Sequence, residues 1–198
     1  MQKAFRYAAE KHAGQTRKRT AVPYLSHLMA VTSLVLEGGG DEDMAMAALL
    51  HDVVEDCGGM PRLREIRKLF GERVAKIVEG CTDSFSDPKL AWIVRKEEYL
   101  KRLKDEDAET RLVSASDKLH NVRTVIADYR QDGESIWKRF SGGREGTLWY
   151  YRALSDEFQR KPNRITRELA IAVQELEKAT RVKLRTVSRD ERGESCPG

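Results

Sequence analysis

The chain has 198 residues, 40% of them hydrophobic and 34% charged, which is enough for one domain with a real core and short for two. Its 36 basic and 32 acidic residues leave a net charge of +4, interleaved along helical faces instead of gathered into the basic stripe of a nucleic-acid binder, so a small anionic ligand fits better. No run is long and apolar enough to span a bilayer, the N-terminal MQKAFRYAAEKHAGQ has no secretion-type apolar segment, and Cys57, Cys81 and Cys196 share no metal-type spacing, so a cytoplasmic protein with reduced thiols is expected.

Helical signals follow one another along the chain. Residues 2–13 and 24–37 read as amphipathic helices, joined by the polar GQTRKRTAVP with Pro23 suited to a first helical position. Asp41 is a capping residue for a helix that should run to Cys57 and stop at Gly58-Gly59. Pro61 opens a short helix to Phe70, and Glu72 to Thr82 forms another. Asp87-Pro88 resembles a cap followed by an N1 proline and should begin a helix to about Lys104. A long periodic stretch runs from Asp107 to Arg130 and ends at Asp132-Gly133.

Beyond it, Gly142-Gly143 precedes a helix over 145–159. The Gly-Gly stretch is either an anion-binding helix N-terminus or a plain turn, and the residues do not choose between them. In a last helix over 163–180, Ile165, Leu169, Val173 and Leu176 share one stripe. Residues 181–198 lack such a stripe and read as a flexible tail after a domain over 1–180. The expected architecture is all-α, one domain of nine to ten helices.

Chemistry concentrates in MAMAALLHDVVEDC. Its apolar surroundings predict a central, buried helix, yet it carries His51, Asp52, Glu55 and Asp56. Unpaired buried carboxylates are costly, so such groups are normally paired or bound to metal. His51 and Glu55 are one turn apart, and Asp52 and Asp56 form a second pair about 100° round. One helix thus offers two ligands and, one turn later, two acid–base groups.

Surface ion pairing is the bland alternative for any one of these residues. It weakens when two more polar interruptions of apolar helices are counted, His27 in PYLSHLMAV and Asp117 in LVSASDKLHNV, with Asn121 one turn beyond Asp117. Two imidazoles and two carboxylates make a borderline-to-hard donor set suited to Mn²⁺, with Fe²⁺, Co²⁺, Ni²⁺ or Zn²⁺ also compatible. His12 and His120 have no ligand argument of their own.

The order of His27, His51-Asp52 and Asp117 resembles the HD superfamily of metal-dependent phosphohydrolases. More narrowly, GQTRKRTAVPYLSH, ALLHDVVED and SASDKLHNVR resemble the hydrolase domain of RelA/SpoT-type proteins over residues 4–158. That resemblance implies a small alarmone hydrolase removing the 3′-pyrophosphate of (p)ppGpp, with Mn²⁺ on His27, His51, Asp52 and Asp117. It also implies Glu55 and Asp56 as the catalytic acidic pair, and Arg17, Lys18, Asn121 and Tyr150 as substrate contacts.

Arg19 stands where small relatives often carry glycine, and adds a cation to that loop. Lys118 and Arg123 are further candidate phosphate partners. The competing readings are another HD nucleotide phosphohydrolase, such as an NADPH 2′-phosphatase, and a non-catalytic ligand-binding HD module.

Overall fold

A computed structural model describes residues 1–18, 20–83 and 90–190, with side chains through 181. Its described residues form ten α-helices and one 3-10 turn: α1 (Gln2–Lys11), α2 (Leu25–Glu37), α3 (Glu42–Leu50), α4 (Val53–Cys57), α5 (Met60–Phe70), α6 (Glu72–Cys81), α7 (Trp92–Leu103), α8 (Ala108–Asp132), the 3-10 turn Gly133–Arg139, α9 (Gly143–Phe158) and α10 (Arg164–Asp190). Among them lies no strand, only an isolated antiparallel bridge between Thr16 and Pro23. No described helix is long and apolar enough to cross a membrane.

The 25-residue α8 is the axis, packed against α2, α3, α6 and α10. It begins where Asp107 accepts the Thr110 amide at 2.9 Å, as α3 begins where Asp41 accepts the Met44 amide at 3.1 Å. Each such cap satisfies an otherwise orphaned helical N–H. Leu119, Val122, Val125 and Ile126 of α8 are buried with Leu28, Val31 and Val35 of α2 and with Leu49 and Leu50 of α3. Full burial of one such side chain stabilises by roughly 1.5–3 kcal/mol. Buried Arg111 ties three helix ends together, donating to the Leu103 carbonyl at 2.6 Å and the Glu157 carbonyl at 2.8 Å.

Three expected boundaries move. The single helix expected from Asp41 to Cys57 breaks into α3 and α4 at His51-Asp52, where Asp52 takes φ −93°, ψ −7°. That is the sparsely populated bridge region often used at functional sites, and the bend frees Asp52 from the helical register. Pro23 lies just outside α2, because the loop is drawn back into a bridge by Arg17 N–H to Val22 O and Tyr24 N–H to Gln15 O, both 2.9 Å.

The last helix does not end at Thr180. Its backbone continues to Asp190, consistent with a run that contains neither glycine nor proline until Gly193. The expected tail beyond 190, Cys196 within it, the Asp87-Pro88 helix start and Arg19 lie outside the described residues. Described α7 begins at Trp92. Gly58 and Gly59 stop α4 as expected, at φ +129° and +63°, conformations glycine adopts without steric cost.

Candidate active site

Three helical segments bring four polar side chains to one buried point. His27 comes from α2, Asp117 from α8, and His51 and Asp52 from the break between α3 and α4. His27 Nε2 lies 3.2 Å from Asp117 Oδ1 and 3.5 Å from Asp52 Oδ2. His51 Nε2 lies 3.0 Å from Asp52 Oδ2 and 3.6 Å from Asp117 Oδ1. One donor atom from each of His27, His51 and Asp117 falls within 4.8 Å of the others, and Asp52 adjoins both imidazoles.

Hydrogen bonds orient these donors. His51 Nδ1 lies 2.8 Å from the Ala48 carbonyl, an acceptor, so Nδ1 carries the hydrogen and Nε2 holds the lone pair of the neutral ring. That Nε2 is buried without a hydrogen-bond partner, an arrangement that proteins avoid unless something else occupies the nitrogen. Tyr24 O–H donates to Asp52 Oδ2 at 2.6 Å. Lys118 and Asn121 donate to the two oxygens of Asp117 at 2.7 and 2.5 Å. Such outer partners aim ligands and tune their basicity.

The electrostatics agree with a cation site. Burial opposes ionisation of Asp117, but Lys118 and then the two imidazoles outweigh it and hold its carboxyl well below the usual range. Asp52 is likewise held well below, against burial, chiefly by His51. Burial alone would push His51 down, yet Asp52 and Asp117 hold it well above its ordinary value. Two strongly acidic carboxylates, two imidazoles and an orphaned Nε2 fit a divalent ion of the Mn²⁺-to-Zn²⁺ series.

A cavity of about 550 Å³ opens beside this cluster, and Asp52 forms part of its wall. Glu55 and Asp56 both line it. Glu55 is half-buried, 3.9 Å from Arg95, and Asp56 accepts from the Gln15 amide at 2.9 Å. Arg17, Lys18, Asn121 and Tyr150 line it too, and the Tyr150 hydroxyl is buried without a hydrogen-bond partner. Lys118, besides its pair with Asp117, faces the same space. Arg123 does not belong to this wall: it is exposed on the far side of α8, paired with Glu168 at 3.2 Å.

Sequence reasoning missed Lys96, Trp92 and His120 in the wall. Lys96 sits in WIVRKEEYLKRL, which reads as a solvated amphipathic helix, and nothing local distinguishes it from Lys101. Only the fold brings it 4.8 Å from the Tyr150 ring centre and 3.0 Å from Asp83. Gly142, just before α9, and Gly146, in its first turn, have a packing explanation. A Cβ on Gly142 would lie 2.7 Å from the Trp92 ring, and one on Gly146 3.1 Å. They seat the indole, which favours the turn reading over the anion-site reading.

The sequence profile of the HD domain family matches residues 4–148. The chain belongs to the HD domain family. This HD domain is 37% identical over 131 residues to a guanosine-3′,5′-bis(diphosphate) 3′-pyrophosphohydrolase of Aquifex aeolicus, covering 63% of the chain and 18% of that protein. It is 34% identical, with the same coverages, to the bifunctional (p)ppGpp synthase/hydrolase SpoT of Escherichia coli K12. The chain thus spans less than a fifth of the length of these relatives.

Among solved structures, a metazoan SpoT orthologue described as hydrolysing ppGpp superposes with a TM-score of 0.70 at 28% identity, covering 89% of this chain and 93% of that one. A crystal structure from Listeria monocytogenes superposes at 0.69 with 26% identity, over 77% of this chain and 99% of that one.

Proposed function

We propose that this HD domain is a metal-dependent (p)ppGpp 3′-pyrophosphohydrolase of the cytoplasm, releasing pyrophosphate and GDP or GTP. Mn²⁺ is the proposed ion, held by His27, His51, Asp52 and Asp117. The observation that carries the reading is the buried imidazole–carboxylate cluster beside a cavity edged by Arg17, Lys18, Lys96 and Lys118. A divalent ion there supplies Lewis-acid polarisation of a phosphoryl oxygen and of water. The similarity to proteins named for this activity supports the substrate class, and the cations Arg17, Lys18, Lys96 and Lys118 on one cavity suit a small nucleotide bearing two diphosphates.

The chain's own residues account for the other needs of the reaction. Arg17, Lys18, Lys96 and Lys118 neutralise phosphate oxygens, and charge-assisted bonds of this kind are the strong ones. The Tyr150 hydroxyl gives a further donor. Glu55 and Asp56 manage the proton. One takes it from water as the water oxygen joins phosphorus, and the ribose 3′-oxygen receives a proton as its bond to phosphorus breaks. Both carboxylates line the cavity, so the base is assigned to the pair and not to one member.

Product analysis tests this. Purified protein with Mn²⁺ and ppGpp should yield GDP and pyrophosphate, and EDTA should abolish the reaction. Orthophosphate as the sole phosphate product, or no turnover of ppGpp with turnover of another nucleotide, overturns the alarmone reading.

A further inference from the structure

His120 has no ligand role, yet its Nδ1 lies 2.8 Å from Nδ1 of His27. The two rings are tilted by 46° with centres 4.8 Å apart, an edge approach suited to a hydrogen bond. We propose that His120 is a positioning residue for the metal centre, whose Nδ1 accepts the Nδ1 hydrogen of His27 and so presents His27 Nε2 as a lone pair to the ion. The inference rests on the metal reading above and adds a residue to it.

The proton count leaves one arrangement. Two neutral imidazoles meeting at Nδ1 need one hydrogen between them. If His120 supplied it, the hydrogen of His27 would sit on Nε2, the atom that faces Asp52 and Asp117, and no lone pair would remain there for a cation. With an ion bound, His27 must carry its hydrogen on Nδ1, and His120 must accept it and keep its own hydrogen on Nε2. Histidine ligands usually donate their second N–H to a carboxylate, a carbonyl or water. Here a second imidazole takes that part.

The contrast with His51 shows why a side chain matters at this position. His51 has its tautomer set by the Ala48 carbonyl, a backbone acceptor that no substitution removes. His27 is 1% exposed, and an apolar side chain filling the place of His120 would leave the buried Nδ1 hydrogen without a partner. One face of α8 therefore serves both ligand classes. Asp117 is a ligand, and His120, three residues on, holds a ligand contributed 93 positions earlier.

The test compares the 198-residue chain with its H120N and H120L variants in a Mn²⁺ titration followed by the electron paramagnetic resonance signal of the free ion. Asn carries its Oδ1 on the same Cγ and accepts without needing a tautomer, so H120N should bind close to wild type. H120L should bind about 10- to 100-fold more weakly, as loss of an outer-shell partner does, with unchanged melting in EDTA. H120L binding like wild type, or H120N falling as far as H120L, overturns the proposal.

A wild type that takes up no Mn²⁺ overturns it together with the metal reading, whereas a wild type that binds while the variants do not differ overturns it alone. Should H120L not fold, long-range ¹H–¹⁵N spectra of Zn²⁺-loaded wild type read the same point. Hydrogens on His27 Nδ1 and His120 Nε2 are expected, and a hydrogen on His120 Nδ1 overturns the proposal.

Discussion

Arg17 donates from Nη2 to the side-chain oxygen of Asn121 at 2.7 Å, across 104 positions of sequence. Asn121 in turn donates to Asp117. The loop before α2 is thereby fastened to α8 and to a proposed ligand, so a proposed phosphate-binding group is tied to the proposed metal cluster. Removal of Arg17 should weaken substrate capture more than turnover. For Arg17→Ala, KM should rise about 10- to 100-fold, the equivalent of 1.5–3 kcal/mol for a bond to a charged group, and the effect should shrink at high salt. An unchanged KM returns the loop to solvated surface.

His51→Ala and Asp52→Ala should lose bound metal and activity together while helicity stays. Elemental analysis beside circular dichroism checks this, and full metal content in both variants contradicts the ligand assignment.

Glu55→Gln keeps size and hydrogen bonding and cannot accept a proton. Metal content should be retained while kcat falls by about 10²–10⁴, the usual contribution of a positioned acid or base. Near-normal turnover would assign the role to Asp56 alone.

Metal uptake should strengthen with rising pH. In the metal-free protein burial lowers the affinity of His51 for a proton, but Asp52 and Asp117 overcome this and raise it well above its ordinary value. A raised histidine stabilises the fold fully below its unfolded value of about 6.5 and ceases to do so as pH climbs through the folded value. The depressed carboxylates of Asp52 and Asp117 stabilise above their unfolded value of about 3.9 and cease to do so as pH falls through their folded values. The ion needs the unprotonated His51 nitrogen, so below the folded value its affinity should drop about tenfold per pH unit. Calorimetric Mn²⁺ titrations at several pH values measure this, and an affinity independent of pH contradicts it.

Gly142→Ala tests the seat of Trp92 without backbone strain, since Gly142 sits at φ −83°. The new methyl would lie 2.7 Å from the indole, so the ring or α9 must shift. Such overpacking costs about 1–3 kcal/mol, and a urea unfolding midpoint equal to wild type would show that the indole moves freely.

The helical class was legible because local signals act locally. Asp41 and Asp107 cap helices, Gly58-Gly59 ends one, and the apolar setting of His27, His51 and Asp117 marked polar groups that burial would otherwise exclude. The HD family was legible from those same short runs, which carry the chemistry within a few residues of one another.

Other features required the tertiary structure, because they depend on residues far apart in the chain. The break at His51-Asp52 follows no local stop signal, since alanine and leucine precede it and valine follows. It is held by what Asp52 meets, Tyr24 and the two imidazoles. Lys96 and Arg123 look alike as solvated helical cations, and packing turns one into the cavity and the other toward Glu168. His120 acquires its part only when α8 lies against α2, for a hydrogen bond between two rings needs both helices in place.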